Sequence, residues 1–107
     1  MSTGATNLTG NLRQMIAVLE AERQALAGLD ADALLELARD KEALCDAIAP
    51  FGPEALDPRV RDLAEAARSL NEVNRRVRNL LAANVTTRLE ALGGARPAYE
   101  VRGGAIA

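Results

Sequence analysis

The chain has 107 residues, 49% of them hydrophobic and 26% charged, with a formal net charge of −2. That length points to one domain, and the apolar fraction excludes a wholly disordered chain. There is no histidine and no tryptophan, and there is one cysteine, one phenylalanine and one tyrosine, so the chain lacks the commonest general base and metal ligand, an internal disulfide and an aromatic core.

Charge is unevenly placed. Residues 1–57 carry 4 basic and 10 acidic side chains, and residues 58–107 carry 9 basic and 5 acidic. An acidic first half and a basic second half favour antiparallel packing of one on the other. Nucleic-acid binding is disfavoured, since no aromatic interleaves the arginines and Asp62, Glu65, Glu72 and Glu90 lie among them. Residues 1–11 have neither a basic region nor an apolar run, so no secretory signal is expected, and no apolar run is long enough to span a bilayer. The expected location is the cytoplasm.

Residues 1–7 are small and polar and are expected to fray. A first helix is predicted over 8–27, with Leu8, Leu12, Ile16, Leu19, Arg23 and Leu26 on one face and Met15 and Val18 beside it. Its N-cap is Asn7 or Thr9. Glu20, Glu22 and Gln24 fall largely outside the stripe. Gly28 is suited to close this helix, with Leu29 folding back on its end, and Asp30 to cap the next.

A second helix is predicted over 31–49, striped by Leu34, Leu37, Lys41, Leu44 and Ile48. Cys45 reads as a buried thiol beside that stripe. Helices 1 and 2 form either an antiparallel hairpin or a kinked rod carrying its stripe through Leu26, Leu29, Ala33 and Leu37. The short Gly–Leu–Asp connection favours the hairpin. Pro50, Gly52 and Pro53 end helix 2 and a loop leads to Asp57.

The third helix is the longest. Asp57 caps it, Pro58 suits its first turn, and Gly93 and Gly94 end it. Val60, Leu63, Ala67, Leu70, Val73, Val77, Leu81, Val85, Leu89 and Leu92 recur at spacings of three and four. At 1.5 Å per residue such a helix is about 50 Å long and needs partners along its whole stripe. Asn71, Asn74 and Asn84 interrupt the apolar side. Each either fixes register between helices or offers its amide to a bound peptide. Arg75, Arg76 and Arg78 form a basic cluster, read as solvated or paired with the acidic first half. The remaining residues, 95–107, contain Pro97, Gly103 and Gly104 and read as a flexible tail after a helical domain of residues 1–94.

Catalytic and metal motifs are not recognisable, and no cofactor is implied. An enzyme built from Arg, Lys and Glu alone, as in small helical chorismate mutases, would have Arg13, Arg39 and Lys41 to draw on. Its pocket pattern is missing, so a non-enzymatic, all-α bundle of three helices is the expected fold and class.

Three stretches carry a resemblance to the FlgN family of flagellar export chaperones. One is AGLDADALLELARDKEAL, with Gly28, Asp30, Leu34, Leu37, Lys41 and Leu44 at the family's glycine–aspartate break and following leucines. The second is SLNEVNRRVRNLL, where Asn71 and Asn74 precede the aliphatic pair Leu80 and Leu81. The third is the tail, where Tyr99 and Gly103 match a Tyr-x-x-x-Gly element. Arg75 stands where the family often has glycine, and the segment between helices 2 and 3 is short for it. The resemblance implies a cytoplasmic helical chaperone without nucleotide or metal. Its partners would be the hook–filament junction proteins FlgK and FlgL, bound through their C-terminal helices, and the export gate FlhA. The apolar end of helix 3 fits this in a helix-in-groove mode, with Val77, Leu81, Val85, Leu89 and Leu92 expected to seat cargo and Asn74 and Asn84 to guide it, and Tyr99 resembles the tail element by which such chaperones dock the gate. The alternative is a structural coiled-coil protein that dimerises through helix 3.

Overall fold

The computed structural model describes residues 3–93, with side chains from Asn7 onward. The described residues form three α-helices and one short 3₁₀ turn: α1 (Thr3–Gly28), α2 (Ala31–Ile48), the turn Pro53–Ala55, and α3 (Pro58–Gly93). They contain no strand. The chain divides into two compact units, Met1–Arg76 and Val77–Ala107. Residues 94–107, and with them the expected tail and Tyr99, lie outside the described residues.

In the first unit α1 is the central element. Beside Ala25, its buried residues Leu8, Leu12, Met15, Leu19, Glu22 and Leu26 alternate spacings of four and three, which is a heptad seam. At one end Leu8 and Leu12 meet Val60 of α3, with Ile48, Phe51, Ala55, Leu56 and Leu63 around them. Further along, Met15 and Leu19 meet Ala67, with Leu44, Ile48 and Leu70 alongside. The order of these pairs sets the directions. Residues advance together in α1 and α3, so those helices run parallel, whereas α2 runs against both. The hairpin reading of helices 1 and 2 therefore holds, whereas the expected antiparallel packing of the acidic half on the basic half is corrected for α1, which belongs to the acidic half yet runs parallel to α3. The segment between α2 and α3 is more than a spacer: Phe51, Ala55 and Leu56 close the end of the core where Leu8 lies.

Both predicted aspartate caps form. Asp30 Oδ1 accepts from the Ala33 amide at 3.1 Å, and Asp57 Oδ1 accepts from the Val60 amide at 2.9 Å. Each satisfies an amide that the first helical turn leaves without a partner.

Several expectations are corrected. The first helix begins at Thr3, not near Leu8, so Asn7 and Thr9 sit inside it and neither caps it, and the segment expected to fray is helical from residue 3. The seam passes through Glu22, which is 6% exposed, and Arg23 lies on the outside. Cys45 is exposed rather than buried. The cause is that α2 contains no buried residue at all: Leu34, Leu37, Leu44 and Ile48 are half-covered and the next positions around the helix face outward.

The turn between α1 and α2 is also rearranged. The Asp30 amide reaches back to the Ala25 carbonyl at 2.9 Å and the Leu29 amide to the Leu26 carbonyl at 3.2 Å. This is the Schellman arrangement, and it makes Leu29, not Gly28, the left-handed residue, with φ of 54°. Leu29 is 68% exposed, so it does not fold back on α1. Asp30 completes the end of one helix and caps the next, which is why so short a connection suffices. A leucine in this conformation crowds its own Cβ, at a cost of roughly 1–2 kcal/mol. Replacing Leu29 with glycine is expected to raise stability by about 0.5–1 kcal/mol, the relief less glycine's greater unfolded-state entropy. Urea denaturation followed by circular dichroism measures this, and a neutral or lower midpoint would contradict it.

Candidate functional site

Two regions of the chain hold the residues singled out above, one in each unit. In the first, a polar layer crosses the three helices. Asn74 of α3 is fully buried, at 0% exposure, and its Nδ2 donates to the Leu19 carbonyl at 2.8 Å and to Glu22 Oε1 at 2.9 Å. Both partners only accept, which fixes the orientation of the amide. Lys41 of α2 donates to Glu22 Oε1 at 3.2 Å, to Glu22 Oε2 at 3.3 Å and to Asn71 Oδ1 at 2.9 Å. The layer thus ties α1, α2 and α3 to one another at a single level, and sets register as a buried asparagine does between paired helices. Asn74 Oδ1 is buried without a partner.

This geometry decides between the two readings of the asparagines at 71 and 74. Asn74 spends its amide on α1 and is inaccessible, so it is withdrawn from the predicted cargo-binding set. Asn71 holds Lys41. The heptad 8–12–15–19–22–26 was the signal that could have placed Glu22 in this layer.

Lys41 is the cation of the layer and its side chain is 23% exposed, against 7% for Glu22. Lys41→Met removes the ammonium from a nearly buried carboxylate and is expected to cost about 1–3 kcal/mol. Urea denaturation at neutral pH reads the difference, and an unchanged midpoint would show that the pair is replaceable.

The basic cluster is paired locally. Arg75 and Arg76 both reach Glu72 one turn earlier, at 2.7 and 3.4 Å. The Arg75 hydrogen bond holds the Glu72 carboxyl below its ordinary value, with the charges of Arg75 and Arg76 adding to it, and the same bond raises Arg75. The sign follows: this pairing supports the fold above the ordinary glutamate pKa and is lost as pH falls through the lowered folded value. All three side chains are well exposed, so the effect is small. The expected pairing of this cluster with the acidic first half is replaced, for Arg75 and Arg76, by pairing within α3.

A recess of about 540 Å³ lies in the first unit, lined by Glu20, Ala21, Arg23, Gln24 and Leu70. Arg13, Arg39 and Lys41 are not among its lining residues.

The second region is the stretch of α3 from Val77 to Gly93. Val77, Leu81, Val85 and Leu89 step by four residues, which turns each about 40° beyond the last, and Leu92 falls back among them, so the five share an arc of about 120°. Val77 and Leu81 are half-exposed, while Val85 is 50% exposed, Leu89 62% and Leu92 84%. Asn84 and Arg88 are exposed and lie one turn apart, Asn84 about 20° outside the Val77 edge of this arc and Arg88 about 20° inside it. Leu80, 70% exposed, stands off it by about 60°. Thr87 turns its hydroxyl back to the Ala83 carbonyl at 3.0 Å, away from the arc.

Comparison of the chain with family models, with curated proteins and with solved structures finds no match. Among the described residues, no helix is long and apolar enough to cross a membrane.

Proposed function

We propose that this protein is a helix-binding export chaperone of the FlgN kind, whose α3 surface from Val77 to Leu92 receives an amphipathic helix of a cargo protein. One observation carries the reading: large aliphatic side chains stand exposed at consecutive turns of one helix face, with Val85, Leu89 and Leu92 each at least half open. Three or more such side chains in register are the anchors that helix-in-groove recognition uses, and an uncovered patch of this kind marks an interaction site. Asn84 at its edge and Arg88 inside it supply polar contacts.

The sequence resemblance adds the biological setting. The cargo would be the C-terminal helices of FlgK and FlgL, held soluble in the cytoplasm and passed to FlhA, with Tyr99 in the tail engaging the gate. No catalysis and no cofactor enter; the action is shielding and release. An affinity near micromolar, about −8 kcal/mol, suits a chaperone that must both protect and let go.

Analytical ultracentrifugation of the full chain, alone and with a C-terminal helical peptide of a FlgK-type protein, tests the proposal. A 1:1 complex with the peptide is the expected result. A tight dimer indifferent to peptide would replace it with the coiled-coil alternative, in which α3 pairs with a second copy.

A further inference from the structure

Once a helix covers the face from Val77 to Leu92, one charge goes under with it. Arg88 lies within the arc, between Val77 and Leu81 in angle, one turn after Val85 and one turn before Leu92. It is exposed in the chain as it stands. A guanidinium enclosed by aliphatic side chains without a counter-charge is costly, whereas one met by a carboxylate makes two parallel charge-assisted hydrogen bonds. Among the described residues, α3 carries no such carboxylate on this face. Glu90 is the only acidic residue between Val77 and Gly93, and it lies about 160° from the centre of the arc.

Resting on the helix-binding reading above, we infer that the partner is an amphipathic helix of another protein with an aspartate or glutamate set into the middle of its apolar stripe, where it pairs with Arg88. The same face of a second copy does not meet the requirement. Aligned in parallel, two such faces bring Arg88 to Arg88. Aligned antiparallel about the centre of the face, Arg88 meets Leu81, and Glu90 stays on the far side in either case. The same arginine that selects an acidic helix therefore acts against self-association, which is how specificity arises from a repulsive element beside an attractive one.

The test uses three synthetic helical peptides with the same leucine stripe and a Glu, Gln or Lys at the central position, titrated into the full-length protein by fluorescence anisotropy. The Glu peptide is expected to bind at least about tenfold more tightly than the Lys peptide, with the gap narrowing as salt is raised. In Arg88→Gln the preference should vanish, and in Arg88→Glu it should invert toward the Lys peptide. Equal affinity of all three peptides, lost on Val85→Asp with Leu89→Asp, overturns the acidic requirement while leaving helix binding intact. Binding of none of them, together with a dimer in sedimentation, overturns both.

Discussion

Asn74→Asp is expected to be the most damaging conservative change in the chain, lowering stability by more than about 3 kcal/mol. The side chains are nearly the same size, so packing is preserved and the effect isolates polarity. The native amide gives one hydrogen to the Leu19 carbonyl and one to the Glu22 carboxylate. A carboxylate gives neither, and it meets two acceptors, one of them charged, at a site with 0% exposure. Domains of this size have about 5–15 kcal/mol of stability, so the loss takes a large share of it. Asn74→Ala removes the two bonds without adding charge and should cost less, about 1.5–3 kcal/mol. The pH dependence separates the two. Burial beside Glu22 raises the folded-state pKa of the introduced carboxyl above its unfolded value, so the penalty is full above the folded value and fades as pH falls toward the unfolded one. The gap between Asn74→Asp and Asn74→Ala in urea midpoint should therefore shrink on acidification. A constant gap would mean that the polar layer opens to water.

The second large effect is on binding rather than folding. Val85→Asp combined with Leu89→Asp should leave helix content and urea midpoint nearly unchanged, because both side chains are at least half exposed and surface changes of this kind usually stay within about 0.5 kcal/mol. Binding of an amphipathic helix should fall by about a thousandfold or more. Each aliphatic side chain contributes roughly 1.5–3 kcal/mol when buried by a partner, and each aspartate adds the cost of drying a charge. Isothermal titration against the cargo peptide measures it. Retention of micromolar binding would move the site elsewhere on the molecule.

Much of the architecture was legible because it rests on local chemistry. Asp30 and Asp57 stand directly before apolar periodic runs, and each caps the helix it precedes. The third helix is long because nothing between Pro58 and Gly93 interrupts it. What escaped has a common cause: a residue's type outweighed its place. Glu22 and Arg23 both fit the gap between Leu19 and Leu26, and a glutamate looks like a surface residue until Lys41 and Asn74 are seen beside it. Gly28 looks like the left-handed residue because glycine adopts that conformation at no cost, yet the hydrogen bonds to Ala25 and Leu26 assign it to Leu29. Cys45 looks buried because its neighbours are Leu44 and Ile48, but the cover over α2 ends at those two. The face from Val77 to Leu92 was visible as a stripe; that Val85, Leu89 and Leu92 stay exposed on it is a tertiary fact no spacing contains.

The unbroken course of α3 has a consequence for how the proposed binding face comes to exist. A stretch of 17 residues holding two adjacent threonines is near the length at which an isolated helix is only marginally formed in water, because starting a helix is far harder than extending one. Here the start is supplied by the Asp57 cap and the packed turns after it, and the later turns need only be added one residue at a time. Damage to the polar layer should thus weaken the proposed helix binding without altering one residue of the face, in proportion to the fraction of molecules whose α3 has lost its seed.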